Sequence, residues 1–359
     1  MQRYDEPLEE TMKTKMQMCL SALSLLVLAA CGDGSSSGNA SRQVVTVESI
    51  VTNAAAIQAA APATVGKSAP GDVAGLLAYV PGTAPTRLVV FCHGLGHTVE
   101  ASWYPAVVDF ADADTAVVTT NYRDNDQLPV LRAAHDTLAA TLYAKQRFPS
   151  VQTVYLLGVS LGGAVSGTAL VEAAHASADG RGLFDYWVDV EGLSNLSEAW
   201  AEGTAVVPEF AAYIEEETGG TPVTVPDEYV RRSPALRAQE MASLGLRAAV
   251  VVHDLNDGLV VTNQGHEMAL ALLTAGVPVQ VFNVLRVGDG QDPGTTGTGA
   301  LAGFLGLDDP NNLIRLAGHG SEADYAHPVI RTGFEQLRMM LDGTYDETTP
   351  YAEHAVDDG

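Results

Sequence analysis

The stretch from Thr153 to Ala174 constrains the fold of this chain more than any other. An apolar run ends at a glycine, the pentapeptide Gly-Val-Ser-Leu-Gly follows at 158–162, and a second apolar run rich in small residues comes next. The first run is typical of a buried strand and the second of a buried helix. A G-x-S-x-G sequence between a strand and a helix predicts a sharp turn that exposes the serine hydroxyl at the end of a sheet.

Three residues of this turn have distinct predicted tasks. Gly158 and Gly162 leave room for the neighbouring backbone, and Ser160 takes up a strained conformation that presents its Oγ. The helix that follows points its N-terminus, with free backbone N–H groups, at the hydroxyl. Ser160 is therefore the candidate nucleophile, although the same pentapeptide also occurs in ordinary turns without chemistry.

The remainder of the chain alternates apolar runs with helical patterns. This alternation predicts a mostly parallel sheet with helices on both faces. Residues 196–245 interrupt it with an acidic, glycine-broken segment that we expect to be a helical cap insertion. We expect a loose tail over 346–359. The predicted strands are 43–50, 73–80, 87–92, 115–120, 153–157, 184–190, 246–253 and 277–284, and the predicted helices are 101–112, 130–148, 164–174, 262–275 and 327–341.

Composition restricts the classes of function. The chain has 359 residues, of which 47% are hydrophobic and 18% charged, as expected of a globular protein. A formal net charge of −25 argues against nucleic-acid binding, which needs basic patches. No H-E-x-x-H sequence or Cys/His cluster is present, and the glycine-rich segment 288–306 lacks the Gly-Lys-Ser/Thr of a phosphate-binding loop. We therefore expect neither a metal nor a cofactor.

The N-terminal segment resembles an export signal. A short basic stretch at 12–19 precedes an apolar run at 20–30, and Leu28-Ala-Ala-Cys31 resembles a bacterial lipobox. This pattern predicts a signal peptide over 1–31 with Met12 as the true start, lipid attachment at Cys31, and a flexible tether over 32–42. The expected location is the cell envelope, with the outer membrane favoured where one exists. An ordinary secretory signal with a chance cysteine is the alternative.

Sequence beyond the serine turn indicates a family. The segment Arg232-Ser-Pro234, the apolar run 246–253 and Asp257-Gly-Leu-Val260, taken with G-x-S-x-G, resemble the α/β-hydrolase superfamily. The resemblance covers Val73 to Leu341, and its last third is similar to the catalytic domain of prolyl-oligopeptidase-type serine hydrolases. It implies an α/β-hydrolase fold for residues 43–345.

The resemblance also implies a catalytic triad in the chain order serine, acid, histidine. Asp257 follows a strand at the position where the family carries its acid. Asp254, Asp189 and Glu191 are weaker candidates for that role. His319 lies in a loop between the last predicted strand and the closing helix, as the family pattern requires. His327, at the start of that helix, is the alternative base, or else a helix cap or a substrate contact.

Two backbone N–H groups are expected to form an oxyanion hole. One belongs to Leu161, directly after the nucleophile, and the other to Leu95 in the loop after strand 87–92. In that loop Gly94 and Gly96 permit a close backbone approach, and His93 is expected to hold the loop in place. His97 is expected to line the pocket.

Together these residues predict a serine hydrolase of carboxylic esters that works through an acyl-enzyme. A serine peptidase or aminoacyl hydrolase of the prolyl-oligopeptidase type is the alternative within the enzymes. A catalytically inactive surface-binding lipoprotein is the alternative of another class. The expected partners are a small ester substrate and, through Cys31, a membrane.

Overall fold

A mostly parallel sheet forms the centre of the protein. The computed structural model describes residues 44–63, 70–99, 107–124, 127–176, 182–206, 208–285, 318–320 and 325–357, all within the compact unit Gln43–Gly359. Nine strands of this described part form one sheet in the order β1-β2-β4-β3-β5-β6-β7-β8-β9. They are β1 (Thr46–Asn53), β2 (Asp72–Tyr79), β3 (Arg87–Cys92), β4 (Thr115–Thr120), β5 (Thr153–Val159), β6 (Tyr186–Val190), β7 (Ala248–Asp254), β8 (Val279–Val284) and β9 (Tyr351–Val356).

Strand direction divides the sheet into two parts. The pairs β1–β2 and β2–β4 are antiparallel, and every pair from β4 through β3 to β9 is parallel. The strands β4 and β7 are buried at every residue, and their sequences, Thr-Ala-Val-Val-Thr-Thr and Ala-Ala-Val-Val-Val-His-Asp, are rich in small apolar and β-branched residues.

Helices cover both faces of the sheet and separate two clusters of buried side chains. One cluster lies under α2 (Val130–Arg147), α3 (Leu161–Ala176) and α8 (Asn263–Thr274), and the short helix α1 (Ala55–Ala60) adds Ile57 to it. The other lies under α9 (Pro328–Leu341) and the residues around Phe110. The predicted α/β class with helices on both faces is therefore confirmed.

The segment between β6 and β7 is helical, as expected for an insertion. It contains α4 (Leu196–Val206), α5 (Pro208–Thr218), α6 (Pro226–Arg231), a 3-10 helix (Pro234–Arg237) and α7 (Ala238–Ser243). We call residues 196–243 the cap.

Two buried carboxylates join the cap to the helices beneath it. Glu172 on α3 accepts hydrogen bonds from the cap residues Arg231 and Arg237, each at 3.0 Å, and lies 3.0 Å from Nε2 of His135 on α2. The second carboxylate belongs to the cap: Glu217 on α5 pairs with Arg132 on α2 at 3.0 Å. Burial alone would raise the pKa of Glu172, but these three partners hold it well below its ordinary value.

The C-terminal segment differs from the expected loose tail over 346–359. Tyr351–Val356 forms β9, which pairs in parallel with β8 over six residues, and His354 stacks on Phe282. The strand forms because the edge of β8 offers backbone hydrogen-bonding groups that need partners.

Several other predictions lie outside the described residues: the signal peptide 1–31 with Cys31, the tether 32–42, and the loop 288–306. Of the helix predicted over 101–112, only the last six residues are described. Within the described ranges, no helix combines the length and the apolar character needed to cross a membrane.

Candidate active site

Ser160 occupies the sharp turn between β5 and α3. Its φ of +55° lies in the left-handed region, which is strained for a residue with a side chain. Backbone hydrogen bonds hold it there: its N–H donates to the carbonyl of Val190 at 2.9 Å, and its own carbonyl accepts the N–H of Gly163 at 2.8 Å. The turn therefore fixes Ser160 at the carboxyl end of the sheet.

The two predicted glycines lie where no side chain fits. A Cβ on Gly158 would lie 2.3 Å from the carbonyl oxygen of Gly162, and Gly162 in turn packs against the end of β3. There is therefore no room for a side chain at either position. Glycine at both allows β5, α3 and β3 to pack closely under the serine.

His319 connects Ser160 to Asp257. Its Nε2 lies 3.0 Å from Ser160 Oγ, and its Nδ1 lies 2.7 Å from Asp257 Oδ2. An Nδ1–H that donates to the carboxylate leaves Nε2 as the acceptor of the serine hydroxyl. The three side chains thus form one hydrogen-bond chain, with His319 only 2% exposed.

Asp257 is held as an anion. Its Oδ1 accepts the backbone N–H groups of Leu259 and Val260, each at 2.9 Å. Burial alone would raise the pKa of Asp257, but His319, together with His253 3.5 Å from Oδ2, lowers it below its ordinary value. A buried carboxylate that stays charged suits a partner that must stabilise an imidazolium.

The other acidic residues near β6 and β7 have different partners. Asp254 Oδ1 accepts the backbone N–H of Asn256 at 2.6 Å. Asp189 is buried beneath the serine turn, and its Oδ1 has no hydrogen-bond partner among the described residues. Glu191 Oε2 lies 3.7 Å from His319 Nδ1 and accepts the backbone N–H of Gly320 at 2.8 Å. Asp257 is the acid hydrogen-bonded to His319.

The alternative histidine lies at a helix end. His327 is buried and is the N-cap residue of α9, with extended backbone angles. Its position is that of a cap, but its side chain makes no capping hydrogen bond to the helix. The hydrogen bond to Ser160 belongs to His319.

The loop after β3 is held in place by an aromatic contact. His93 is fully buried and stacks on Tyr122 with ring centroids 3.9 Å apart, while the Tyr122 hydroxyl donates to the His93 carbonyl at 3.1 Å. Gly94 accepts the backbone N–H of His97 at 3.4 Å, and Gly96 has a φ of +74°. The loop therefore turns sharply next to the serine.

Both residues expected to donate to an oxyanion line one cavity with Ser160. Leu161 is the first residue of α3, and Leu95 follows Gly94 in the loop. The cavity measures ≈ 20 Å³, about the space of one water-sized group. Its remaining lining is apolar: Leu128, Leu193, Phe210, Leu259 and Val260.

A second cavity of ≈ 50 Å³ adjoins the first. The two share Leu193, Phe210 and Leu259, and the second adds cap residues that include Glu202. Phe210, on the cap helix α5, is therefore one of three residues that border both the space beside the serine and the adjoining cavity. Sequence reasoning did not single out Phe210 or Leu193, because an apolar residue in a cap helix carries no signal of which cavity it lines.

Among the residues that the structure describes, one group has donor atoms close enough to hold a metal ion. Glu191, Asp257 and His319 place one such atom each within 4.8 Å of one another. Both imidazole nitrogens of His319 already face hydrogen-bond partners, Asp257 and Ser160. Asp257 and His319 are therefore engaged in the hydrogen-bond chain, and Glu191 accepts a hydrogen bond from Gly320.

Comparisons with known proteins place the fold. No family model matches the chain, and no curated protein is similar to it in sequence. Among solved structures it resembles carboxyl esterase 2 from the mycorrhizal fungus Tuber melanosporum, with a TM-score of 0.55 and 13% identity over 95% of this chain and 99% of that one. A mutant of esterase rPPE gives a TM-score of 0.50 and 16% identity over 84% of each chain.

Peptidases also share the fold. A protein assigned as a dipeptidyl aminopeptidase IV from Bacteroides ovatus gives a TM-score of 0.51 and 13% identity over 83% of this chain and 36% of that one. The chain spans only 35 to 37% of the length of this protein and of the acylaminoacyl peptidases that it matches. With its mostly parallel sheet, its helices on both faces and its likeness to these esterases, the chain has the α/β-hydrolase fold.

Proposed function

We propose that this chain is a serine hydrolase of carboxylic esters. The observation that carries the proposal is the hydrogen-bond chain from Ser160 Oγ through His319 to Asp257, with distances of 3.0 and 2.7 Å. A serine hydroxyl is a weak nucleophile unless a base within hydrogen-bond reach takes its proton, and this chain supplies that base. The similarity of the fold to two esterases over most of their length supports the same class.

The proposed mechanism begins with attack of Ser160 Oγ on the ester carbonyl while His319 Nε2 takes the hydroxyl proton. Backbone N–H groups of Leu161 and Leu95 stabilise the resulting oxyanion. Collapse breaks the bond to the alcohol, which leaves with the proton from His319 and leaves an acyl group on Ser160. Water then attacks this acyl-enzyme, His319 takes its proton, and the acid is released as the serine regains its hydrogen. Asp257 stabilises the imidazolium in both halves.

The size of the cavity favours a short acyl group. Among the described residues, ≈ 20 Å³ is open beside Ser160, lined by leucines and Phe210. An acetyl methyl fits such a space, whereas a long chain requires the cap to move or Phe210 to turn. The substrates proposed are therefore esters of short carboxylic acids.

The test is hydrolysis of p-nitrophenyl esters of increasing acyl length by soluble protein that starts after Cys31, with Ser160→Ala as control. We expect the highest kcat/KM at acetate or propionate and no turnover by the variant. Turnover that persists in Ser160→Ala would exclude the serine mechanism. No turnover by either protein would favour a peptide substrate or a binding protein that has lost catalysis.

A serine peptidase or aminoacyl hydrolase is the second candidate. The structural match to the Bacteroides ovatus protein favours it, although this chain spans little more than a third of that protein. Assay of aminoacyl and dipeptidyl p-nitroanilides with the same two proteins separates the candidates. Ser160-dependent cleavage of an anilide that exceeds the best ester in kcat/KM would replace the esterase proposal.

We further propose that Cys31 carries a lipid that anchors the protein in the bacterial cell envelope. The support is the basic stretch, apolar run and Leu-Ala-Ala-Cys sequence at residues 12–31. Expression with radiolabelled palmitate, compared with Cys31→Ser, tests it. Label in the variant, or its absence from both proteins, would contradict the proposal.

A further inference from the structure

A second carboxylate lies beside the histidine of the active site. Glu191 follows directly after β6, is fully buried, and places Oε2 3.7 Å from His319 Nδ1. The same oxygen accepts the backbone N–H of Gly320, the residue after the histidine, at 2.8 Å. One carboxylate oxygen therefore contacts the histidine loop at its backbone and faces its imidazole.

The backbone conformation at Glu191 directs this side chain towards His319. Its φ of +53° is in the left-handed region, where a glutamate is strained. Its N–H donates to the carbonyl of Val252 at 2.9 Å, so the backbone directly after β6 is still hydrogen-bonded to β7. Ser160 and Glu191 are thus two of the three described non-glycine residues with positive φ, and both lie at this site. Strain of this kind persists where the surrounding structure determines the geometry.

We propose that Glu191 is a positioning residue for His319: it fixes the histidine loop through the Gly320 N–H, and its negative charge stabilises the imidazolium beside that of Asp257. This inference rests on the proposed function, because it concerns the proton that His319 carries during ester hydrolysis. An opposite charge closer than about 4–6 Å favours the charged form of a titrating group, and the distance of 3.7 Å is below that limit.

Other charged or titratable groups surround the same histidine loop, and the test must separate their effects. Asp257 is the direct partner of His319, and His253 on β7 lies 3.5 Å from that carboxylate. Gly318 packs against the Asp254 carboxylate, and Gly320 against the His327 ring. Asp189 on β6 acts electrostatically on His253. None of these groups changes in a substitution of Glu191 alone.

The experiment compares Glu191→Gln with Glu191→Ala in the purified full-length protein. Glutamine retains an oxygen that accepts the Gly320 N–H but carries no charge. We expect the acidic limb of the kcat/KM profile to move about one unit to lower pH in Glu191→Gln, since an imidazolium beside fewer negative charges loses its proton more readily. The maximal kcat should fall about tenfold, with KM nearly unchanged. Glu191→Ala should lose more, because the backbone contact also disappears.

A double variant tests whether Glu191 and Asp257 both stabilise the imidazolium of His319. Asp257→Asn with Glu191 present should retain more activity than Asp257→Asn/Glu191→Gln, by tenfold or more. The control is Glu172→Gln, another buried carboxylate whose described partners are His135, Arg231 and Arg237; it should lower stability without moving the pH profile.

Two results would overturn the inference. One is a Glu191→Gln protein whose pH profile and kcat match the parent. The other is a loss of kcat in Glu191→Gln with no movement of the acidic limb, which would assign Glu191 a purely structural task. Failure of the proposed function itself looks different: the parent protein then shows no Ser160-dependent ester hydrolysis.

Discussion

A methyl group placed on Gly162 would lie 2.0 Å from the carbonyl oxygen of Cys92, the last residue of β3. Real Cβ atoms do not approach backbone atoms so closely, so either α3 or β3 must move to admit one. Because α3 begins immediately after Ser160, any such movement also displaces the hydroxyl from His319.

We therefore predict that Gly162→Ala lowers both stability and activity. Overpacking of a close contact costs about 1–3 kcal/mol, and the free energy of unfolding in urea should fall by at least that much. Activity on a short ester should fall more than a hundredfold, because displaced groups lose their alignment. The control is Gly82→Ala, where nothing lies within 4 Å of the new methyl and only a φ of +79° opposes it. Equal losses in the two variants would contradict the steric argument.

Removal of Phe210 should widen the specificity of the site. Phe210 borders both the cavity at Ser160 and the adjoining one, so we expect Phe210→Ala to join the two. We expect the ratio of kcat/KM for the hexanoate ester over the acetate ester to rise at least tenfold, since each additional methylene can then be buried. Phe148→Ala, which removes a buried phenyl ring that packs on Tyr79, should lower stability similarly without changing the ratio. An unchanged ratio in Phe210→Ala would show that this cavity does not bind the acyl group.

Much of the fold follows from the sequence because the parallel strands are buried on both faces. Strands buried on both faces are rich in apolar and β-branched residues, and such a run is visible without a structure. The predicted strand over 115–120 accordingly coincides with β4, and the predicted helix over 130–148 is one residue longer than α2. The predicted ends of elements are less accurate: β6 begins at Tyr186, whereas the sequence predicts a strand from Phe184.

The candidate site was predictable only through its motif and the order of its residues. Ser160 and His319 are 159 positions apart, so their hydrogen bond depends on how β5 and the histidine loop meet at the carboxyl end of the sheet. The sequence placed Asp257 after a strand but did not show that its Oδ1 would accept two backbone N–H groups. Their catalytic roles stay predictions until the variants are assayed.

Two features were beyond sequence reasoning. The strand β9 has the sequence Tyr-Ala-Glu-His-Ala-Val, whose polar and acidic surroundings favour a solvated tail, and it forms because β8 offers an open edge. The inward direction of Glu191 depends on a positive φ, a conformation for which a glutamate gives no signal. Both depend on tertiary contacts that outweigh local preference.

Glu217 should be among the carboxylates on which the stability of the protein most depends. It is buried on α5 and pairs with Arg132 of α2 and with Arg232, at 3.0 and 2.7 Å. Glu217→Ala leaves two buried guanidinium groups without this partner, a change that costs about 3–5 kcal/mol. The midpoint of urea unfolding should fall accordingly. Ester hydrolysis, measured at a temperature low enough for the variant to stay folded, should fall as well, because the cap carries Phe210 and Phe210 lines the cavity at Ser160.

The matched control is Glu240→Ala. Glu240 pairs with Arg237 at 3.0 Å, but its side chain is 54% exposed, and such surface pairs contribute little. A loss in Glu217→Ala no larger than in Glu240→Ala would mean that the buried pairs do not hold the cap.

Asp189 should make the stability of the protein depend on pH. Burial raises the pKa of Asp189 from 3.8 to about 7, offset only in part by His253. Between pH 4 and 7 the folded protein keeps this proton and the unfolded chain releases it, so the free energy of unfolding falls as the pH rises. The shift corresponds to roughly 4 kcal/mol across this window, with no further change from this group well above pH 7.

Asp189→Asn removes this contribution, because an amide of the same shape does not titrate. Relative to the parent, the variant should gain stability steadily from pH 4 to 7 and keep a constant advantage above pH 8, as measured by urea unfolding at each pH. Subtraction of the two curves cancels the other acidic groups of this strongly negative chain. Asp114→Asn, at an exposed carboxylate, should give a nearly flat difference. A flat difference for Asp189→Asn as well would show that Asp189 is ionised in the folded protein throughout this range, despite its burial beneath the serine turn.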